Sequence, residues 1–199
     1  MISRPHVWID KQSENTLLLL HGTGADEHDL LQLGELIAPD YNLLSPRGLV
    51  NENGMNRFFE RTPMGEFVQE SVKQAVSDLV TFIDLAQEEY GFDAGSLSAC
   101  GFSNGANTAL ATLVTRPEVL TTVMAFGATK PLNEPVGANL DGKTVFIANG
   151  ERDPYAPQGI TDAFASELKA AGANVIVLSH PGGHQISPAH IQQINRELT

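Results

Sequence analysis

Several things are scarce in this chain, and each shortage excludes something. It holds one cysteine, Cys100, in 199 residues, so no internal disulfide can form and a reducing compartment is expected. The longest strongly apolar run is Leu17–Leu20, far short of the roughly 20 residues that cross a bilayer. Residues Met1–Asp10 contain no apolar core followed by a small-residue cleavage site. No secretory signal is expected, and the cytoplasm is the default location. Basic residues are few, 12 against 24 acidic, for a formal net charge of −12. Such a surface repels phosphate backbones and offers no basic stripe, which argues against nucleic acid or anionic lipid as a partner.

Cofactor signatures are missing too. Neither G-x-G-x-x-G nor G-x-x-x-x-G-K-[ST] follows a strand-like run, so no phosphate cradle is expected. Of six histidines, only His180 and His184 stand at i, i+4, and they lie in a Gly/Pro-rich stretch instead of on a helix face. No metal site and no cofactor are expected. Cys100 reads as a small buried apolar residue, not a nucleophile.

What is present is an alternation of short apolar runs with amphipathic stretches, without repeats or low-complexity tracts. His6–Ile9, Thr16–Leu20, Tyr41–Ser45, Ser96–Cys100, Thr121–Gly127, Lys143–Ala148 and Asn174–Leu178 read as strands. Leu30–Ile37, Glu66–Tyr90, the stretch after Gly105, Gln158–Ala171 and Pro188–Glu197 carry apolar residues at helical spacing. Continuous apolar strands alternating with helices predict an α/β fold: one domain over residues 1–199, with a mostly parallel sheet covered on both faces. Ligands of such sheets bind beyond the carboxyl ends of the strands.

The candidate chemistry falls at those ends. Gly101-Phe102-Ser103-Asn104-Gly105 joins a strand to a helix, the layout of a nucleophile elbow whose glycines let strand and helix approach closely. In a chain of this composition the bare pattern arises by chance roughly one time in ten, so context must decide. After the next-to-last strand comes Asn149–Pro157, holding Glu151 and Asp153; after the last comes Ser179–Ile186, holding His180 and His184. A serine hydroxyl needs an imidazole to take its proton, and the imidazole needs an acceptor behind it. His184 is preferred over His180 because two glycines beside it let the chain bring the ring back to Ser103. Asp153 is preferred over Glu151 because the Asp153-Pro154 turn fixes a short side chain just before a helix. His21-Gly22-Thr23-Gly24 follows the Leu17–Leu20 strand, where the backbone N–H of Thr23 can join that of Asn104 as oxyanion donors. His21 itself reads as a structural hydrogen-bonder.

Together the Gly101–Gly105 elbow, the His21–Gly24 turn, the Asp153-Pro154 loop and Gly182-Gly183-His184 resemble the phospholipase/carboxylesterase family, related to the acyl-protein thioesterases. Ser45–Gly48 and Glu52–Phe59 resemble a bacterial subgroup of it, some of whose members are linked to hydroquinone-type compounds. The resemblance spans nearly the whole chain. It implies the α/β-hydrolase fold without a cap domain and the order Ser103, Asp153, His184 for the catalytic roles. It also implies oxyanion amides at Thr23 and Asn104 and a homodimer, since family members are often dimers, while a small, soluble ester is expected as substrate because the site reads as open and weakly apolar. Asn104 departs from the thioesterase branch, which usually carries Gln there. The Pro/Gly-rich connector between Gly127 and Gly142 is too short for a helical lid, so an open site is expected, walled by Arg47–Arg61. Met55, Phe58 and Phe59 are candidates to line an acyl or aryl pocket, although Phe58 and Phe59 suit a core equally. A carboxylesterase leads; a thioesterase or lysophospholipase with the same residues, or a non-catalytic ligand-binding homologue, are the alternatives.

Overall fold

The computed structural model describes residues 2–198. Among these residues five α-helices and nine strands succeed one another: β1 (His6–Ile9), β2 (Thr16–Leu20), α1 (Leu31–Ile37), β3 (Asn42–Pro46), β4 (Val50–Glu52), β5 (Met55–Arg57), α2 (Gln69–Tyr90), β6 (Leu97–Phe102), α3 (Asn104–Thr115), β7 (Thr122–Phe126), β8 (Thr144–Gly150), α4 (Gln158–Ala170), β9 (Asn174–His180) and α5 (Pro188–Leu198). Seven strands form one sheet in the order β1-β3-β2-β6-β7-β8-β9. Every pairing is parallel except β1 with β3.

The central strands are buried on both faces. Every residue of β2 and β3 is buried, and Leu17–Leu20 are without solvent exposure, each such leucine contributing about 1.5–3 kcal/mol. Alternate side chains divide between two cores. Leu18, Leu20, Ala99, Val123 and Val145 pack under α2, α3 and α4; Leu17, Leu19, Cys100, Met124 and Phe146 pack under α1 and α5. This is the expected mostly parallel sheet with helices on both faces, in the α/β-hydrolase arrangement. Cys100 is buried as expected, and loss of solvation pushes its thiol up to about 12, so it stays neutral.

Three local features depart from the sequence reading. β9 is an edge strand, and its residues alternate between exposed and buried instead of forming a continuous apolar run. The segment expected only as a wall holds an antiparallel hairpin, β4 with β5, whose three-residue strands are too short and polar to signal themselves. α2 starts at Gln69, later than the expected Glu66. The residues before it form a turn, Gly65 N–H to Thr62 carbonyl at 2.8 Å, closed by an isolated antiparallel bridge between Arg61 and Phe67. The Gly127–Gly142 connector contains no helix and is pinned by buried Leu132 and Leu140.

Candidate active site

Ser103 stands between β6 and α3 with φ 52° and ψ −112°. A non-glycine residue held at positive φ costs on the order of 1–3 kcal/mol, so its surroundings must enforce it. They do so by proximity. A Cβ on Gly105 would collide with the Leu20 carbonyl, and one on Gly101 would lie 2.7 Å from the Ala106 nitrogen. The Ser103 N–H is also fastened, donating to the Phe126 carbonyl at 2.8 Å.

Three side chains from three strand ends meet here. The Ser103 hydroxyl lies 2.8 Å from His184 Nε2, and His184 Nδ1 lies 2.7 Å from Asp153 Oδ2. The Asp153 carboxylate is wholly buried, and its other oxygen accepts the Tyr155 N–H at 2.9 Å. A carboxylate can only accept, so Nδ1 carries the ring proton and Nε2 is left to accept from Ser103. The imidazole sits between Phe102 and Tyr155, with ring centroids 4.9 and 5.0 Å away. Behind it Gly127 leaves the space: a Cβ there would lie 2.8 Å from His184 Cε1. His180 does not reach the serine. It ends β9 and lies edge-on to buried His190 at 5.0 Å. Glu151 is exposed.

The Gly22–Gly24 turn borders the same space. Gly24 N–H donates to the Asn56 carbonyl at 2.9 Å, which seats the turn on β5. His21 holds it from beneath: the Gly48 N–H donates to Nε2 at 2.9 Å and Nδ1 reaches the Gly22 carbonyl at 2.7 Å. Since Nε2 accepts, Nδ1 is the protonated nitrogen and the ring is neutral. Burial lowers its pKa below the ordinary 6.5, in keeping with that state. Thr23 therefore lies on an anchored turn, next to Gly22, where an added Cβ would lie 2.9 Å from the Phe102 ring of the elbow. Asn104 begins α3, where the first N–H groups have no intrahelical acceptor.

Sequence reasoning missed what the asparagine side chains do. Asn104 Oδ1 accepts the Phe58 N–H at 2.7 Å and its Nδ2 donates to the Phe59 carbonyl at 3.2 Å. Asn107 Nδ2 donates to the Ser103 carbonyl at 2.8 Å while its Oδ1 accepts the Thr129 N–H at 3.1 Å. Asn149 bonds both backbone polar groups of Ala128. These buried amides fasten the loops around Ser103 to the sheet, and nothing in a single sequence marks an asparagine for that task. The short Asn104 side chain also gives the departure from Gln a local reason: it spans the gap to the 58–59 backbone.

The expectation that Phe58 and Phe59 line a pocket is corrected. They are 4% and 0% exposed, and Phe59 packs edge-on to Phe67 at 4.9 Å, because the Asn104 clamp turns their backbone toward the core. Met55, by contrast, is exposed, with its Cγ 3.8 Å from where a Gly24 Cβ would be, at the rim beside the turn. A cavity of about 750 Å³ lies on the other side of Tyr155 and is lined by Arg61, Phe67, Leu132 and Ile160 among others. A shallower hollow of about 620 Å³ flanks Phe102 and His184, bounded by Leu33, Leu36 and Ile186. Tyr155, not singled out in the sequence, thus stands between the imidazole and the first space, whereas Phe102 and His184 both line the second.

Comparison with known proteins gives the family and the fold. Residues 7–199 match the family model described as Phospholipase/Carboxylesterase. MhqD of Bacillus subtilis strain 168, named as a hydrolase, is 38% identical over 188 residues, covering 94% of each chain. The esterase YpfH of Escherichia coli K12 is 28% identical over 196 residues, covering 92% of this chain and 81% of its own. Among solved structures, the Bacillus cereus carboxylesterase superposes with a TM-score of 0.93 at 36% identity, covering 98% of this chain and 93% of that one. YahD, solved with malic acid, does so with a TM-score of 0.93 at 30% identity, covering 98% of both. With a family match spanning nearly its whole length and a sheet that carries the serine on a strand-to-helix turn, this chain belongs to the phospholipase/carboxylesterase family of α/β-hydrolase-fold proteins.

Proposed function

We propose that this protein is a cytoplasmic serine carboxylesterase that cleaves small carboxylic esters through an acyl-enzyme. The observation that carries the reading is the unbroken hydrogen-bond chain from Ser103 through His184 to buried Asp153. Ser103 Oγ attacks the acyl carbonyl as its proton passes to His184 Nε2, and Asp153 stabilises the resulting imidazolium. The carbonyl oxygen, now negative, accepts from the N–H groups of Thr23 and Asn104; one such donor is typically worth ~10²–10³ in rate. Collapse expels the alcohol, which takes the proton back from Nε2, and leaves the acyl group on Ser103. A water then gives its proton to Nε2, attacks the acyl carbonyl and releases the carboxylic acid, restoring the serine.

The lack of a helix in the Gly127–Gly142 connector supports small, freely diffusing substrates over interfacial ones. The apolar lining at Leu132 and Ile160 would also admit the acyl chain of a thioester or lysophospholipid, and a chain-length series distinguishes these from short esters. The decisive experiment is hydrolysis of short p-nitrophenyl esters by wild type and Ser103→Ala. Activity is expected to fall on the order of 10⁶-fold in the variant; undiminished turnover would end this reading. A fluorophosphonate probe should label Ser103, and an unlabelled serine would favour a non-catalytic binding protein.

A further inference from the structure

Carboxylates outnumber cations two to one in this chain, so an arginine ordinarily finds an acidic partner. Lys11, Arg47, Arg57, Lys73, Arg116 and Lys130 do, while Arg4, Lys143, Arg152 and Lys169, like Arg61, lie in no ion pair among the described residues. What sets Arg61 apart is its place: it lines a cavity of about 750 Å³ with no carboxylate within ion-pair distance among the described residues, and its Nε is turned inward, buried without a hydrogen-bond partner. A half-buried cation without a counter-charge is costly to the extent that it is taken out of water. Burial and the nearby Arg57 both press against its charge.

Its setting is built to hold it. The bridge to Phe67 fixes the Arg61 backbone, and the guanidinium stacks by the rings of Phe67 and Tyr155, 5.1 and 5.7 Å from their centroids. Stacking occupies the flat faces of a guanidinium and leaves its N–H edge for an oxyanion. Arg61 lines the 750 Å³ cavity, whose other cation, Lys130, is neutralised by Glu167. Glu66 contributes a carboxylate to the lining, but the residue is exposed. The Tyr155 ring touches both this guanidinium and the His184 ring, which sets the cavity one aromatic side chain away from the imidazole.

From this arrangement we infer that Arg61 binds an anionic group at the far end of the ester substrate, making the substrate class half-esters: one ester group at Ser103 and a carboxylate or phosphate-type oxyanion in the cavity. This rests on the esterase reading above for the reaction itself. The recognising chemistry is a charge-assisted, multi-donor hydrogen bond to an oxyanion, which a neutral ester of the same length forfeits.

The test compares kcat/KM, by methanol release, for monomethyl glutarate, methyl 4-phosphonobutyrate and dimethyl glutarate. Wild type is expected to prefer a charged ester by about tenfold or more, the scale of a lost hydrogen bond to a charged group; whichever anion is preferred identifies the natural group. In Arg61→Gln that ratio should fall by about tenfold, through KM, while Arg61→Lys keeps part of it. Equal kcat/KM for charged and neutral esters in wild type, or an unchanged ratio in Arg61→Gln, overturns the inference. A binding arm frees it from turnover: glutarate titrated calorimetrically into Ser103→Ala should give saturable heat that vanishes in Ser103→Ala/Arg61→Gln. Absence of heat in the single variant also overturns it. Failure of wild type to hydrolyse any ester, with glutarate still bound through Arg61, would instead sink only the esterase reading.

Discussion

The wall beside Ser103 is backbone; the wall of the cavity beyond Tyr155 is side chains. The first wall is the Gly22–Gly24 turn, the elbow and the head of α3, where a Cβ on Gly105 would meet the Leu20 carbonyl and where His21 and Asn104 tie main-chain groups together. The second is Tyr155, Arg61, Met64 and Ile160, of which Met64, Tyr155 and Ile160 are exposed, around an open cavity. On the proposed function, the difference separates two demands on an acyl-transfer site. Donors for a developing oxyanion must already be in position, so they come from main chain that cannot move. Discrimination among substrates needs only shape and charge, which exposed side chains supply.

Breaking the first wall should have the largest effect. Gly105→Ala puts a methyl group against main chain that has nowhere to go, and overpacking of this kind costs about 1–3 kcal/mol or more. Thermal unfolding should show a lowered Tm and esterase assays a loss well beyond it; an unaltered Tm and rate would mean that the close approach is not needed. Asn104→Ala tests the tie between the walls. It strands the buried Phe58 N–H, at a cost of about 1–3 kcal/mol, and should lower the urea midpoint while Asn104→Asp, which keeps the acceptor, loses less. Equal losses would assign the effect to packing alone.

The smallest effect sharpens the comparison through pH. His21, under the backbone wall, and His190, beneath the strand end that leads to His184, both have pKa values lowered from 6.5, chiefly by burial. Both are basic groups kept neutral, so below pH 6.5 the unfolded chain binds more protons than the folded one. Their contribution is present above about pH 6.5 and is lost as pH falls below it. Urea midpoints measured from about pH 8 to about pH 5.5 should decline toward acid, and His190→Leu should flatten part of that slope. A midpoint rising toward acid over this window would contradict the sign.

Much of this was legible beforehand because periodicity and punctuation are local. β2, β6, β7 and β8 are apolar runs that only a sheet covered on both faces can bury, and Gly101–Gly105 marks its own turn. The β4–β5 hairpin was not legible, since three-residue polar strands carry no period. Phe58 and Phe59 were ambiguous for another reason: an aromatic pair reads alike in a core and in a pocket, and the partner that decides, Asn104, stands 46 positions from Phe58. Arg61 and Tyr155 were silent because an unpaired cation is recognised only once every carboxylate has been located.

By itself, then, the sequence determined the layered sheet, the elbow and the types of residue at its strand ends, because those depend on neighbours along the chain. Only the tertiary structure decided that His184 and not His180 meets Ser103, that Asn104 serves with its side chain, and that Arg61 faces a cavity unpaired. Each of these depends on distances across the sheet, where residues far apart in the chain come within a hydrogen bond of one another or fail to.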